Sequence, residues 1–329
     1  MTNDKTYLRT GDLVKVRSPD EIDLTLDADG TLDGLPFMPE MLDHIGRCFR
    51  VLRRAEKTCV HVATQNYDIR EFRENDVVLL DGLRCPGSGH DGCQRLCTLF
   101  WKAAWLQKVE PDDRGAVVDE SARLRLRARL KTTSAHNRYF CQSTELAHAT
   151  VPLPRLRILW KCICDIRSGS RGLFEMSRLV LVPLWRKMTE RFQRPPLAGT
   201  LTRTPTGSLN LQPGDYVEIK SAAEIAQTLD SSGRNRGLMC DHGMCKFSGG
   251  TFRVHSRLDR MISELTGQMH QVPSTVILDQ LECLCWNVTG GCPRQDLMYW
   301  RELWLNRAGA GQPDCTAAGE RAATKMKAP

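Results

Sequence analysis

Apolar and polar residues alternate in two short segments that each begin with a Gly-Asp turn, GDLVKV at residues 11–16 and GDYVEI at residues 214–219. Such alternation is typical of a β-strand with one buried face. Each segment leads to a serine and, three residues later, a glutamate, the two members of a helix capping box: Ser18 with Glu21, and Ser221 with Glu224. The pattern therefore predicts a strand followed by a short helix in both places.

The same order of predicted elements continues in both halves of the chain. A short helical patch is expected at residues 38–44, and apolar runs predict strands at residues 48–52, 77–80, 251–255 and 275–278. We expect a closing helix to begin near Gly92 in the first half and near Gly291 in the second. Tryptophans at i, i+4 spacing would pack these helices into the core: Trp101 with Trp105, and Trp300 with Trp304.

These parallels reflect an internal repeat. Residues 11–54 and 214–257 align without a gap, and roughly two positions in five are identical. After a variable insert, the match resumes at cysteines and tryptophans: Cys85 with Cys283, Cys93 with Cys292, Trp101 with Trp300, and Trp105 with Trp304. The chain is predicted to be an α+β protein with two repeated small β-barrel-like modules, SH3-like in form, each with a closing helix and joined by a helical basic connector.

The predicted domains are a first module (9–110), the connector (111–208), a second module (209–307) and a disordered tail (308–329). Residues 111–213 carry 18 basic and 8 acidic side chains, so the connector holds the positive charge of the chain. Residues 156–166 predict a helix, whereas residues 122–130 alternate Leu and Arg and fit either a strand or an Arg-rich helix.

Residues 173–192 form the most apolar part of the connector, and Pro183 would kink a helix there. Three interpretations remain open: a helix packed between or beneath the modules, a helix that binds a partner, and a helix with a basic face that makes peripheral contact with a membrane.

Composition narrows the class of protein. The net charge of +7 is mild for 329 residues and does not by itself indicate nucleic-acid binding. The first residues have no apolar signal region, and no apolar run approaches the ~20 residues of a membrane span, so we expect a cytoplasmic protein. Fourteen cysteines in that compartment indicate metal binding or redox chemistry more than disulfides.

The first module contains the strongest candidate metal ligands, Cys59, Cys85, Cys93 and Cys97. Four thiolates bind Zn²⁺ or an iron–sulfur cluster. Cys93 and Cys97 are four residues apart, so the expected helix would place them on one face. Buried thiols without a metal and a redox pair are the alternatives.

The second module offers Cys283, Cys285 and Cys292 as a weaker set of metal ligands, with Cys240 and Cys245 upstream. Asp296 stands where the repeat would place the equivalent of Cys97, so one ligand has changed type or the site has decayed.

Sequence motifs of catalysis are missing: the chain has no nucleophile elbow, zinc-protease motif, P-loop or dinucleotide fingerprint. We therefore expect a non-catalytic, metal-stabilised interaction or scaffold protein with a protein partner. The alternative is a zinc or iron–sulfur protein that serves as a redox or biosynthetic enzyme accessory. Nucleic-acid binding through the basic run at residues 123–131 is not expected, because such runs are more often solvated faces.

The motifs GDLVKVRSPDEI, RYFCQSTELAHATVPL, LNLQPGDYVEIKS and YWRELWL resemble those of a family of uncharacterised bacterial proteins with two internal repeats and cysteine-rich turns. The resemblance covers residues 9–307 and carries no established activity. It implies that the family's cysteines correspond to Cys59, Cys85, Cys93 and Cys141, which adds Cys141 to the candidate metal ligands. A family cysteine is replaced in each repeat, by Ile45 and by Ser248, which implies lost ligands.

Overall fold

The structure, a computed structural model, describes residues 7–63, 66–110, 119–134, 136–189, 197–241, 243–283 and 294–308. These residues group into two compact units. The first unit comprises the described residues within 1–188, 261–270 and 285–296, and the second comprises those within 189–260, 271–284 and 297–329.

The described residues form strands and helices. The strands are β1 (Leu13–Val16), β2 (Thr31–Leu32), β3 (Leu35–Pro36), β4 (Cys48–Arg54), β5 (Thr58–Ala63), β6 (Asn66–Phe72), β7 (Val77–Arg84), β8 (Thr98–Lys102), β9 (Leu106–Lys108), β10 (Thr150–Pro152), β11 (Tyr216–Ile219), β12 (Arg234–Asn235), β13 (Leu238–Met239), β14 (Thr251–Arg257), β15 (Arg260–Ile262), β16 (Met269–Gln271), β17 (Thr275–Glu282), β18 (Leu297–Arg301) and β19 (Leu305–Arg307). The helices are α1 (Pro19–Asp23), α2 (Glu120–Arg129), α3 (Gln142–Ala149), α4 (Arg155–Arg167), α5 (Leu173–Thr189) and α6 (Ala222–Ala226). The described part of the chain is thus a mixed α/β protein.

Each unit is built on an antiparallel five-stranded sheet, with strand order β8-β7-β4-β1-β9 in the first unit and β18-β17-β14-β11-β19 in the second. These are repeat-equivalent strands in the same order. Even an irregularity recurs, because the register shifts between Val51 and Arg53 in the first sheet and between Val254 and Ser256 in the second. The sequence repeat therefore folds into two half-open sheets of the same topology. The first unit adds a second sheet, in the order β10-β6-β5.

The predicted local signals are confirmed at both helix starts. Ser18 and Glu21 form a complete capping box before α1, and Ser221 and Glu224 form another before α6. The residues predicted as strands lie in β4, β7, β14 and β17, and the patch at residues 38–44 contains the 3₁₀ helix Pro39–His44. The 122–130 segment, left open between strand and helix, lies mostly in α2.

The predicted closing helices are wrong. Residues 98–102 and 297–301 are the strands β8 and β18, and each is followed by a three-residue 3₁₀ turn, Ala103–Trp105 or Glu302–Trp304. Aromatic residues favour strands, and a strand followed by one tight turn also brings residues four apart to the same side. The four tryptophans are fully buried, so their predicted place in the core is confirmed although the element is different.

Helix α5 continues through Pro183 as a single helix to Thr189. Within the described residues, no helix is both long and apolar enough to cross a membrane.

Candidate metal centre in the first unit

The loop of residues 85–97, between β7 and β8, carries three of the predicted metal ligands. The backbone N–H of Cys85 donates to the carbonyl oxygen of Cys97 across 2.8 Å, which fixes the two residues opposite each other. Gly87 closes the turn with a φ of 70°, and a Cβ there would lie 2.0 Å from the carbonyl oxygen of Cys93. Only glycine fits this position, because the positive φ disfavours other residues and a Cβ would collide with the backbone of Cys93.

Four cysteines line one small cavity beside this turn. Its volume is about 30 Å³, room for a bare ion or one or two water molecules. Cys93 and Cys141 are buried, and Cys85 and Cys97 are half-buried. The rest of the wall is part apolar, including Met38, Leu99, Phe100 and Ile262, and part polar or charged: His90, Arg95, Thr98, Gln142, Ser143, Arg294 and Asp296.

Backbone N–H groups point at three of the four sulfur atoms. The N–H of Gly87 donates to the Cys85 sulfur, and the N–H of Ile262 donates to Cys93 Sγ across 3.4 Å. Cys141 occupies the N-cap of α3, where its sulfur accepts from the backbone of Thr144. Such hydrogen bonds favour the thiolate, the form of cysteine that binds metals.

Burial opposes the ionisation of Cys85, Cys97 and Cys141. Burial raises the pKa of Cys85, as do the charge of Glu40 and the neighbouring Cys97. Burial raises the pKa of Cys97 to about 12, and burial raises the pKa of Cys141 as well. Thiolates that line one cavity repel one another, so a full set of ionised cysteines requires a cation among them.

A buried ionic network lies on one side of the cavity. Both Arg95 and Arg294 bond to the carboxylate of Glu264, at 3.1 Å and 2.9 Å. Asp296 adds a second carboxylate, 3.2 Å from Arg294. Burial by itself raises the pKa of Glu264, yet the two guanidinium groups hold it at about 2. The network pairs two cations with two anions and fixes the wall that faces Cys97.

His90 lines the cavity, but both of its ring nitrogens are engaged. Nδ1 lies 2.7 Å from Glu40 Oε1, and Nε2 lies 3.0 Å from the carbonyl oxygen of Phe140. Both partners are acceptors. Although burial lowers the pKa of His90, the carboxylate of Glu40 raises it above the ordinary value. His90 would have to give up one of these bonds to become a metal ligand.

The remaining predicted ligands lie elsewhere. Cys59 is buried in β5, and its carbonyl oxygen accepts from Arg294 across 2.9 Å, but its side chain does not line the cavity. Cys283 is exposed in the second unit, and Cys285 and Cys292 lie outside the described residues. Within the described ranges, no group of three or more His, Cys, Asp or Glu side chains is closed tightly enough to hold a metal ion.

Residue-level reasoning missed most of the cavity wall. Cys141 entered only through the family resemblance, and Glu264 and Arg294 were not singled out. They are more than 160 positions from Arg95 in sequence, and no spacing rule connects them. Asp296 carried one signal, because the repeat aligns it with Cys97, and both residues line the same cavity.

In the second unit, Cys240 and Cys245 form a hydrogen-bonded thiol pair. Cys240 is buried, and Cys245 Sγ also lies 3.6 Å from the carbonyl oxygen of Asp241.

Comparison of the chain with protein-family models, with curated proteins and with solved structures found no match.

Proposed function

We propose that the protein is a non-catalytic interaction or scaffold protein with two SH3-like modules, the first of which is stabilised by Zn²⁺ bound to Cys85, Cys93, Cys97 and Cys141. The observation that carries the proposal is the set of four thiols around one cavity of about 30 Å³. Four cysteines are the ligand set of a closed structural zinc site, which needs no open position for a substrate.

Several features support this choice of ligands. Three of the sulfurs receive backbone N–H groups, and the fourth neighbours the guanidinium of Arg95, so each has a group that favours the thiolate. Metal binding would draw the four sulfurs inward onto the ion. The volume suits a single ion better than a cluster of several irons, which favours zinc over the iron–sulfur alternative.

The basic run at residues 123–131, most of which lies in α2, supports an interaction role that does not involve nucleic acid. Arg123 pairs with Asp43 at 2.5 Å, and Arg125 pairs with Asp20 at 3.3 Å. Arg129 and Lys131 likewise contact Asp23 and Asp29. Four of these cations are thus neutralised within the first unit instead of being presented to phosphates.

Elemental analysis of the full chain, purified without chelators, tests the proposal. We expect one zinc per chain and a colourless protein. Cys93→Ser and Cys141→Ser should each release the zinc and lower the melting temperature of the first unit. Cys162→Ser is the matched control, because Cys162 is a buried thiol on α4 that does not line the cavity.

Zinc content and melting temperature that do not change in Cys93→Ser would refute the site. A brown protein that contains iron and loses it in the same two variants would instead establish the iron–sulfur alternative.

A further inference from the structure

Helix α4 is held to the first unit by its charged face. Lys161 Nζ lies 3.3 Å from both Glu56 and Glu71, and Lys57 Nζ lies 2.7 Å from Asp165. All five side chains are buried. Charged residues normally face water on an amphipathic helix, so α4 has the opposite orientation.

The opposite face of α4 is apolar and exposed. Leu156 is 90% exposed, Leu159 56%, Trp160 52% and Ile163 46%. These positions follow the i, i+3, i+4, i+7 spacing of a single helix face. The start of α5 adds Leu173 and Phe174, exposed by 74% and 82%. A continuous apolar face of this kind marks an interaction surface, because isolated exposed leucines do not repeat at helical spacing.

Positive charge surrounds this apolar face. Residues 155–181 contain six basic and two acidic side chains, of which Lys161 and Asp165 are buried. Arg157 pairs with Glu71 and Arg171 pairs with Glu175, whereas Arg167 and Arg178 are exposed. The spacing continues to Arg167, one turn beyond Ile163. A surface pocket of about 400 Å³ lies there, and it is lined by Tyr7, Arg9, Cys164 and Arg167. Two arginines in an open pocket suit a phosphate group.

We infer that the exposed face of α4 docks onto an anionic lipid bilayer, with leucine, isoleucine and tryptophan in the headgroup region and a lipid phosphate in the Arg9–Arg167 pocket. A flanking excess of arginine complements an anionic surface, and Trp and Leu on one face with Arg around it are the composition of interfacial helices. The same excess disfavours a second copy of the chain, which would bring like charges together. The inference rests on the proposed interaction role and names its partner.

Vesicle sedimentation with the full chain tests this docking. We expect binding to vesicles of phosphatidylcholine mixed with phosphatidylglycerol and little binding to phosphatidylcholine alone. Leu156→Ser should weaken binding about tenfold, since one exposed leucine loses its burial in lipid. Arg167→Gln should weaken it about fivefold and reduce its salt dependence, since one cation leaves the surface.

Matched control variants distinguish binding through the α4 face from non-specific hydrophobic or electrostatic binding to the vesicles. Leu24→Ser changes a leucine that is 89% exposed elsewhere in the first unit, and Arg127→Gln changes an exposed arginine of α2. Leu24→Ser should leave binding unchanged, and Arg127→Gln should weaken it less than Arg167→Gln does. Equal losses in the test and control variants would overturn the inference.

Absence of binding to the mixed vesicles, or self-association of the chain that Leu156→Ser abolishes, would also overturn it. Zinc content measured on the same samples keeps the two proposals apart. A zinc-loaded protein that ignores vesicles refutes only the docking, whereas a zinc-free protein that binds them refutes only the metal site.

Discussion

The indole Nε1–H of Trp105 donates to the hydroxyl of Thr25 across 3.1 Å, and the repeat-equivalent Trp304 donates to Thr228 across 3.0 Å. In the first unit the bond joins the 3₁₀ turn between β8 and β9 to the segment just after α1. In the second unit it joins the turn between β18 and β19 to the segment just after α6. Because the indole is fully buried, its N–H depends on this one acceptor.

Thr25→Val should therefore destabilise the first unit by about 1–3 kcal/mol, since valine keeps the shape of threonine but leaves the indole N–H without a partner. Urea denaturation of the full chain measures the loss. Thr58→Val is the control, because the buried hydroxyl of Thr58 has no hydrogen-bond partner within the described residues. The control should be neutral or stabilising, and an equal loss in both variants would contradict the assignment.

Gly87→Ala and Gly82→Ala form a second matched pair. Both glycines have a φ near 70°, 70° for Gly87 and 71° for Gly82, but a Cβ on Gly82 meets nothing within 4 Å. Gly82→Ala should cost about 1–2 kcal/mol for the left-handed backbone alone.

Gly87→Ala adds a collision with the backbone of Cys93, so it should cost clearly more and also reduce the zinc content. Denaturation midpoints together with elemental analysis check both parts. Similar losses of stability in the two variants would show that the turn opens without difficulty.

Stability of the first unit should fall in acid through Glu264. Its folded pKa of about 2 lies below the ~4.3 of an unfolded glutamate, so its contribution is present above the unfolded value and disappears as the pH falls toward 2. The difference corresponds to about 3 kcal/mol.

Urea midpoints measured at a series of pH values should show this slope in the native chain and a flatter one in Glu264→Gln. Glu120→Gln, which changes an exposed carboxylate of α2, should keep the native slope. An unchanged profile in Glu264→Gln would remove Glu264 from the explanation.

The anchor of α4 gives a fourth prediction. Asp165→Ala should destabilise the first unit by about 3–5 kcal/mol, because it leaves the ammonium of Lys57 buried without its partner. Replacing both residues, as Lys57→Met with Asp165→Leu, should cost less, since neither member of this pair then leaves a buried charge without its partner. Thermal denaturation of the single and double variants decides this. A double variant as unstable as the single one would show that packing, not the unpaired charge, causes the loss.

Local signals in the sequence predicted local structure well. The capping boxes at Ser18 and Ser221 and the apolar strands depend on residues only a few positions apart, and all of them are present. The segment from Thr98 to Trp105 lies within the predicted closing helix, on which Trp101 and Trp105 are four residues apart. A strand followed by a 3₁₀ turn gives the same spacing as a helix. The segment forms a strand because it pairs with β7.

The cavity and the orientation of α4 could not be predicted in this way, because both depend on distant partners. The sequence predicts a helix over residues 156–166, and these residues lie in α4. Which face turns inward is decided by Glu56 and Glu71 on the chain segment around β5 and β6. The wall beside Cys97 likewise depends on Glu264 and Arg294, which no periodicity connects to it.

The internal repeat indicates a duplicated gene, but the two halves of the chain no longer fold independently of each other. The carboxylate that neutralises Arg95 belongs to residues 261–270, beyond the point where the later copy begins. A polypeptide cut at residue 188 would keep the first five-stranded sheet and all four cavity cysteines. It would leave the buried guanidinium of Arg95 without the carboxylate of Glu264. An N-terminal fragment expressed without residues 261–270 would therefore be unstable.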